Sequence, residues 1–109
     1  MNARQTVEAL GALAHAHRLG IYRLLVQAGE AGLAAGAIAD KLDLPASSLS
    51  FHLAQLVRAG LITQTRESRS LIYAADFGQM NALVGFLTEN CCGGASCATA
   101  RPKQKKSAA

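Results

Sequence analysis

Cys91, Cys92 and Cys97 are the only cysteines in the 109-residue chain, and all three lie in the stretch ENCCGGASC. Two are adjacent, and the third follows after four residues, two of them glycine. Thiolates are soft ligands that select soft ions. A structural zinc site takes four ligands, so three thiols leave it one short. Trivalent As(III) or Sb(III) takes three thiolates in a pyramid and keeps its lone pair in the fourth position. Count and softness therefore fit As(III) or Sb(III) better than Zn(II). The same residues are open to two other readings: a disulfide-forming redox switch, or three cysteines without a common task. Three is an odd number, which argues against a structural disulfide framework and suits reduced thiols.

Something must hold this soft segment in place. Gly93 and Gly94 permit a sharp return that would bring Cys97 back beside its neighbours. Upstream, Phe77, Met80, Val84 and Leu87 repeat with steps of three, four and three, an apolar seam whose next step of four reaches Cys91. Asp76 suits the N-cap of this helix, which is expected to run to about Asn90. At the other end of the chain, residues 3 to 15 place Val7, Leu10, Leu13 and Ala14 at helical steps. These residues could simply cover their own core. A short chain with apolar helices at both ends also suits a two-fold dimer built from them, through Val7, Leu10, Phe77, Met80, Val84 and Leu87.

Between those helices lies a pattern of a different kind. HRLGIYRLLVQA (17 to 28) reads as a buried helix stopped by GEAG, and AAGAIADKL as a short one. DLP makes a tight turn, with Pro45 placed in the first turn of the next helix, where its missing N–H costs nothing. That helix, PASSLSFHLAQLVRAG, carries Leu49, Leu53, Leu56 and Val57 on one face. Ser47, Phe51, Ala54 and Arg58 lie on the opposite face, flanked by Ser48 and Gln55. LITQTR and RSLIYA then read as two strands around Glu67 and Ser68. Four helices, a hairpin and a last helix, mainly α with a β-hairpin wing, describe a winged helix-turn-helix over residues 1 to 90. Residues 91 to 109 are a cysteine-containing, basic, flexible tail.

In such a fold the Ser-rich helix enters the major groove of double-stranded DNA. Ser47, Ser48 and Ser50 can meet base edges or phosphates, Gln55 an adenine or a phosphate, and Arg58 a phosphate. Phe51, a large apolar group on an outward face, would find a dry partner in a thymine methyl. Arg66 and Arg69 at the hairpin tip suit phosphate or minor-groove contacts. Taken singly, these residues are equally at home as caps and solvated turns; the assembled motif favours DNA. His52 points towards the core edge as a packing or hydrogen-bonding residue. His15 and His17 are structural, with no third ligand at helical spacing beside them.

Charge supports this only by position. Arg101, Lys103, Lys105 and Lys106 hold the entire net charge of +4, and the other seven basic side chains balance seven acidic ones. The basic end reads as a disordered, solubilising tail. MNARQTVEAL enters an amphipathic pattern directly, no leader is expected, and no apolar run nears the ~20 residues that span a bilayer. A cytoplasmic location without membrane contact follows as an expectation. An enzyme is disfavoured: there is no C-x-x-C, no phosphate loop and no βαβ pattern. A dimerisation module that does not bind DNA is a further alternative.

On LAHAHRLGIYRLL, LDLPASSLSFHLAQLVRAGLI and RESRSLIYAAD, the chain resembles the ArsR/SmtB family of arsenic- and metal-responsive repressors over about residues 5 to 90. The resemblance implies a homodimeric winged-helix repressor that leaves its operator when an inducer binds. Two family sites are missing. The Cys-rich box before the recognition helix is replaced by GLAAGAIADKL, and the last helix, DFGQMNALVGFLTEN, lacks the histidine of the zinc-sensing members. The ending TENCCGG resembles the arsenic-responsive branch, so the sensor role falls to Cys91, Cys92 and Cys97, with As(III) or Sb(III) as inducer. A thiol-oxidation sensor or a methylarsenite-selective repressor of the same fold is the alternative; methylarsenite needs only two thiolates.

Overall fold

The computed structural model describes residues 1 to 94. Cys97 and the basic tail lie outside the described residues. Helix α1 spans Ala3–Leu13. It starts where Asn2 and Gln5 cap each other: the Gln5 N–H donates to Asn2 Oδ1 at 2.8 Å, and the Asn2 N–H to Gln5 Oε1 at 3.0 Å. Helix α2, Ala16–Ala28, starts at His15, whose Nδ1 accepts from the His17 N–H at 3.1 Å. Strand β1 (Leu33–Ala34) leads into α3 (Ala35–Leu42), which ends on Asp43 in the left-handed region. Helix α4 covers Ala46–Arg58, β2 Ile62–Glu67, β3 Ser70–Ala75 and α5 Phe77–Leu87.

The expected fold class is found, with its boundaries adjusted. The sheet has three strands in the order β1-β3-β2, all antiparallel. Two-residue β1 has no readable period, so the sequence pattern passes over it. It pairs Leu33 with Tyr73 and Ala34 with Ile72. Gly32 makes this possible: its φ is +69°, and a side chain there would run into the Tyr73 carbonyl. The hairpin turn is Ser68–Arg69, since Glu67 still pairs with Ser70. Pro45 caps α4 rather than joining its first turn, with ψ 147°.

The core lies where α2, α3, α4 and the sheet meet. Ile21, Leu25, Ile38, Leu56 and Leu61 are fully buried, with Leu49 and Leu53 beside them. These α4 residues keep the periodicity of an amphipathic helix, so burying them fixes which face of α4 looks outward. Truncating Leu56 to Ala should cost about 2–5 kcal/mol, read as a lower urea midpoint. A loss under about 1 kcal/mol would mean that α4 is not anchored this way.

Asp76 caps α5 as expected, its Oδ1 accepting the Gln79 N–H at 3.1 Å. The apolar seam of α5 divides. Phe77 and Met80 pack against the core, and buried Leu83 faces inward, so the first half of the stripe covers its own domain. Val84 and Leu87 remain 55% and 56% exposed. On α1, Thr6 and Ala9 are buried, while Val7 and Leu10 are 67% and 42% exposed. Helix α1 packs against α5, so both terminal helices of the domain retain apolar surface outside the core.

Candidate DNA-binding face and thiol turn

Helix α4 presents its outer side to solvent because its inner side is committed to the core. Ser47, Ser48, Ser50 and Arg58 are exposed, and Gln55 is half-buried. The Arg58 guanidinium donates to Gln55 Oε1 at 3.3 Å, which lays both along one edge of the helix. Phe51 is 58% exposed and meets the His52 ring edge-on, with centroids 5.6 Å apart. The tip of the β2–β3 hairpin carries Arg66 and Arg69, both exposed. From Thr63 to Glu67 every side chain of β2 faces water, so the hairpin stands clear of the core as a wing.

His52 is 7% exposed, as its core-edge position predicts. Its surroundings were not legible. His15, His17 and His52 form a ring cluster, with centroids 4.6 Å (15–52), 5.5 Å (17–52) and 5.5 Å (15–17) apart. No third ligand lies at helical spacing beside His15 and His17; the third imidazole of the cluster comes from α4, more than thirty residues away. Arg18 Nη1 lies 3.3 Å from His52 Nδ1, and its Nε donates to the Ala12 carbonyl at 2.7 Å. No group of three side chains among the described residues is arranged to hold a metal ion.

The cysteines lie just beyond α5. That helix stops at Leu87, short of Asn90, and the Thr88 hydroxyl donates to the Val84 carbonyl at 2.9 Å. Asn90, Cys92 and Gly93 have φ of 58°, 56° and 67°, so Cys91–Gly94 form a short 3-10 turn rather than more α-helix. Cys91 therefore does not continue the α5 stripe in helical register. Cys91 and Cys92 are exposed, with Sγ atoms 3.6 Å apart.

A helix with a solvated outer face, held over a core beside an arginine-tipped hairpin, defines a winged helix-turn-helix regulator. Comparison with known proteins agrees. Residues 13–65 match the family described as a helix-turn-helix domain. The transcriptional activator HlyU of Vibrio cholerae is 31% identical over 86 residues, 79% of this chain and 77% of HlyU. Its structure superposes with TM-score 0.67 over 84% of this chain and 96% of that one. The regulator YgaV of Escherichia coli is 32% identical over 91 residues, covering 84% and 90%. The homodimeric winged helix-turn-helix DNA-binding domain of Mb0332 from Mycobacterium bovis is 27% identical, with TM-score 0.63 over 84% and 85%. The chain belongs to the ArsR-like family of winged helix-turn-helix transcriptional regulators, and the relatives it matches are regulators rather than enzymes. Among the described residues no helix is long and apolar enough to cross a membrane.

Proposed function

We propose that this chain is an As(III)-responsive repressor. It binds operator DNA as a homodimer and leaves it when As(III) or Sb(III) is taken up by the C-terminal thiols. The observation that carries the metalloid reading is the pair of sulfur atoms 3.6 Å apart directly after α5. Thiolates bound at ~2.3 Å to one tetrahedral zinc stand about 3.8 Å apart, so two sulfurs at this separation can share one soft ion. Cys97, outside the described residues, is the third ligand by its spacing in sequence. The residues of helix α3 contain no cysteine and those of α5 no histidine, so neither helix offers a competing soft site.

On the DNA side, Ser47, Ser48, Ser50, Phe51 and Gln55 meet base edges, while Arg58, Arg66 and Arg69 hold phosphates. Changing Arg58, Arg66 or Arg69 singly to Ala should weaken binding on all sequences and reduce the salt slope by about 1. A slope that does not move would remove that arginine from the contact set. Dimerisation through the exposed parts of α1 and α5, as Mb0332 is homodimeric, sets two α4 helices against a two-fold operator. A metalloid that orders the turn after α5 acts on the end of a dimer helix. It can shift DNA affinity only by its preference for the DNA-incompetent geometry.

A gel shift with the DNA upstream of the protein's own gene, under reductant, tests this. Arsenite or antimonite should release the probe, and zinc should not. Retention in both metalloids sinks the reading. The same pair of exposed sulfur atoms supports one second reading, a thiol-oxidation sensor. There diamide without metalloid would release the probe and arsenite under reductant would not.

A further inference from the structure

The histidine cluster takes no part in the DNA or thiol contacts proposed above. Its hydrogen bonding decides what it can be. A guanidinium has donors only, so His52 Nδ1 must accept from Arg18. His15 Nδ1 likewise accepts from the His17 N–H. Both rings, when neutral, then carry their proton on Nε2. A metal-bound imidazole usually donates its other ring N–H to an acceptor. At His52 that second position faces a cation instead, which argues against a metal here.

The arrangement suits a neutral ring that holds an arginine. Arg18 joins three elements: Nε to the Ala12 carbonyl of α1, its own backbone in α2, and Nη1 to His52 of α4. It also lines an open cleft of about 310 Å³ together with Glu8, Gln55 and Arg58, so the α1–α2 junction is tied to the groove-facing helix at one residue. We propose that Arg18 is a positioning residue for the recognition helix α4, acting through neutral His52, and that protonation of His52 releases it. A protonated His52 would aim an N–H at the Arg18 N–H groups, which turns a hydrogen bond into a repulsion.

Burial, then His15, Arg18 and His17, hold the His52 pKa below its ordinary 6.5. Those three groups come from the α1–α2 junction and α2. Helix α1, with Arg4 and Glu8, helix α3 and strand β2 also pack against α4, and none of them supplies a charge that acts on His52. Among the described residues no carboxylate bonds to the cluster. The sign follows: the folded protein binds fewer protons than the unfolded chain. The contribution is intact above pH 6.5 and falls away as pH drops below it, towards the lowered folded value.

The test is hydrogen exchange of α4 amides in the full chain, as protection factors between pH 7.5 and 5.5, with α3 as reference. It needs no DNA, so it stands or falls apart from the operator-binding reading. Wild type should lose α4 protection on acidification while α3 keeps its own, because stability that depends on neutral His52 is lost as the ring takes up a proton. His52→Gln, which keeps an acceptor for Arg18 but does not titrate, should retain protection at pH 7.5 and lose the pH dependence. Arg18→Lys should show low α4 protection already at pH 7.5, with little further loss. A wild-type profile that stays flat, or a His52→Gln profile that falls as wild type does, overturns the proposal. So does an Arg18→Lys profile matching wild type.

Discussion

The double variant Cys91→Ser, Cys92→Ser should bind operator DNA within about twofold of wild type and stay bound in arsenite. Under the same conditions wild type should lose about 100-fold in affinity, within the range of ordinary allosteric coupling. Serine keeps the size and exposure of the two side chains and removes only the soft sulfur. Both positions lie in solvent beyond α5, so the substitution leaves the core and the face of α4 untouched. The expected separation of binding from release is therefore clean. Fluorescence anisotropy of a labelled operator duplex, titrated with arsenite under reductant, measures it. Normal release from the double variant would place the inducer site elsewhere. Cys97→Ser refines the outcome: three-thiolate arsenite should lose its effect, whereas methylarsenite, which needs two thiolates, should keep it.

Placing a carboxylate at both Val84 and Leu87 should give a monomer that is as stable as wild type and poor at binding DNA. The two side chains are more than half exposed in the single chain, so glutamate there meets water rather than core. In a dimer each would bury an unpaired charge against an apolar partner surface, which is costly. Loss of the second half-site contact removes the gain from tethering two readers, about 100-fold or more. Sedimentation velocity should show the monomer, thermal unfolding a midpoint within a few degrees of wild type, and anisotropy the lost affinity. A dimer that persists would move the interface off α5. A collapse in thermal stability would show that these residues serve their own core.

The helices that carry the two faces were legible because each is amphipathic over several turns. Leu49, Leu53 and Leu56 announce the buried side of α4, and Asp76 announces the start of α5. The features that escaped are short or distant. Strand β1 is two residues long and exists only because β3 offers an edge to it. The turn after α5 follows from left-handed backbone at Asn90 and Cys92, two positions whose residue types carry only a weak signal. The even apolar spacing from Phe77 to Leu87 conceals a division of labour, because period alone does not say which partner a side chain meets. The Arg18–His52 contact joins residues 34 apart in sequence. Local pattern could place His52 at the core edge and could not supply its neighbours.

The thiol turn follows the last helix of the described fold, and no core residue depends on it. Substitutions at Cys91 and Cys92 therefore leave the described core in place. A lineage could exchange one thiol arrangement for another, or lose it, while the DNA-reading domain stays intact. For engineering, this makes the segment after Leu87 a natural graft point. Alternative inducer-binding tails could be spliced there onto one unchanged operator reader, giving sensors that share a promoter and differ only in what they detect.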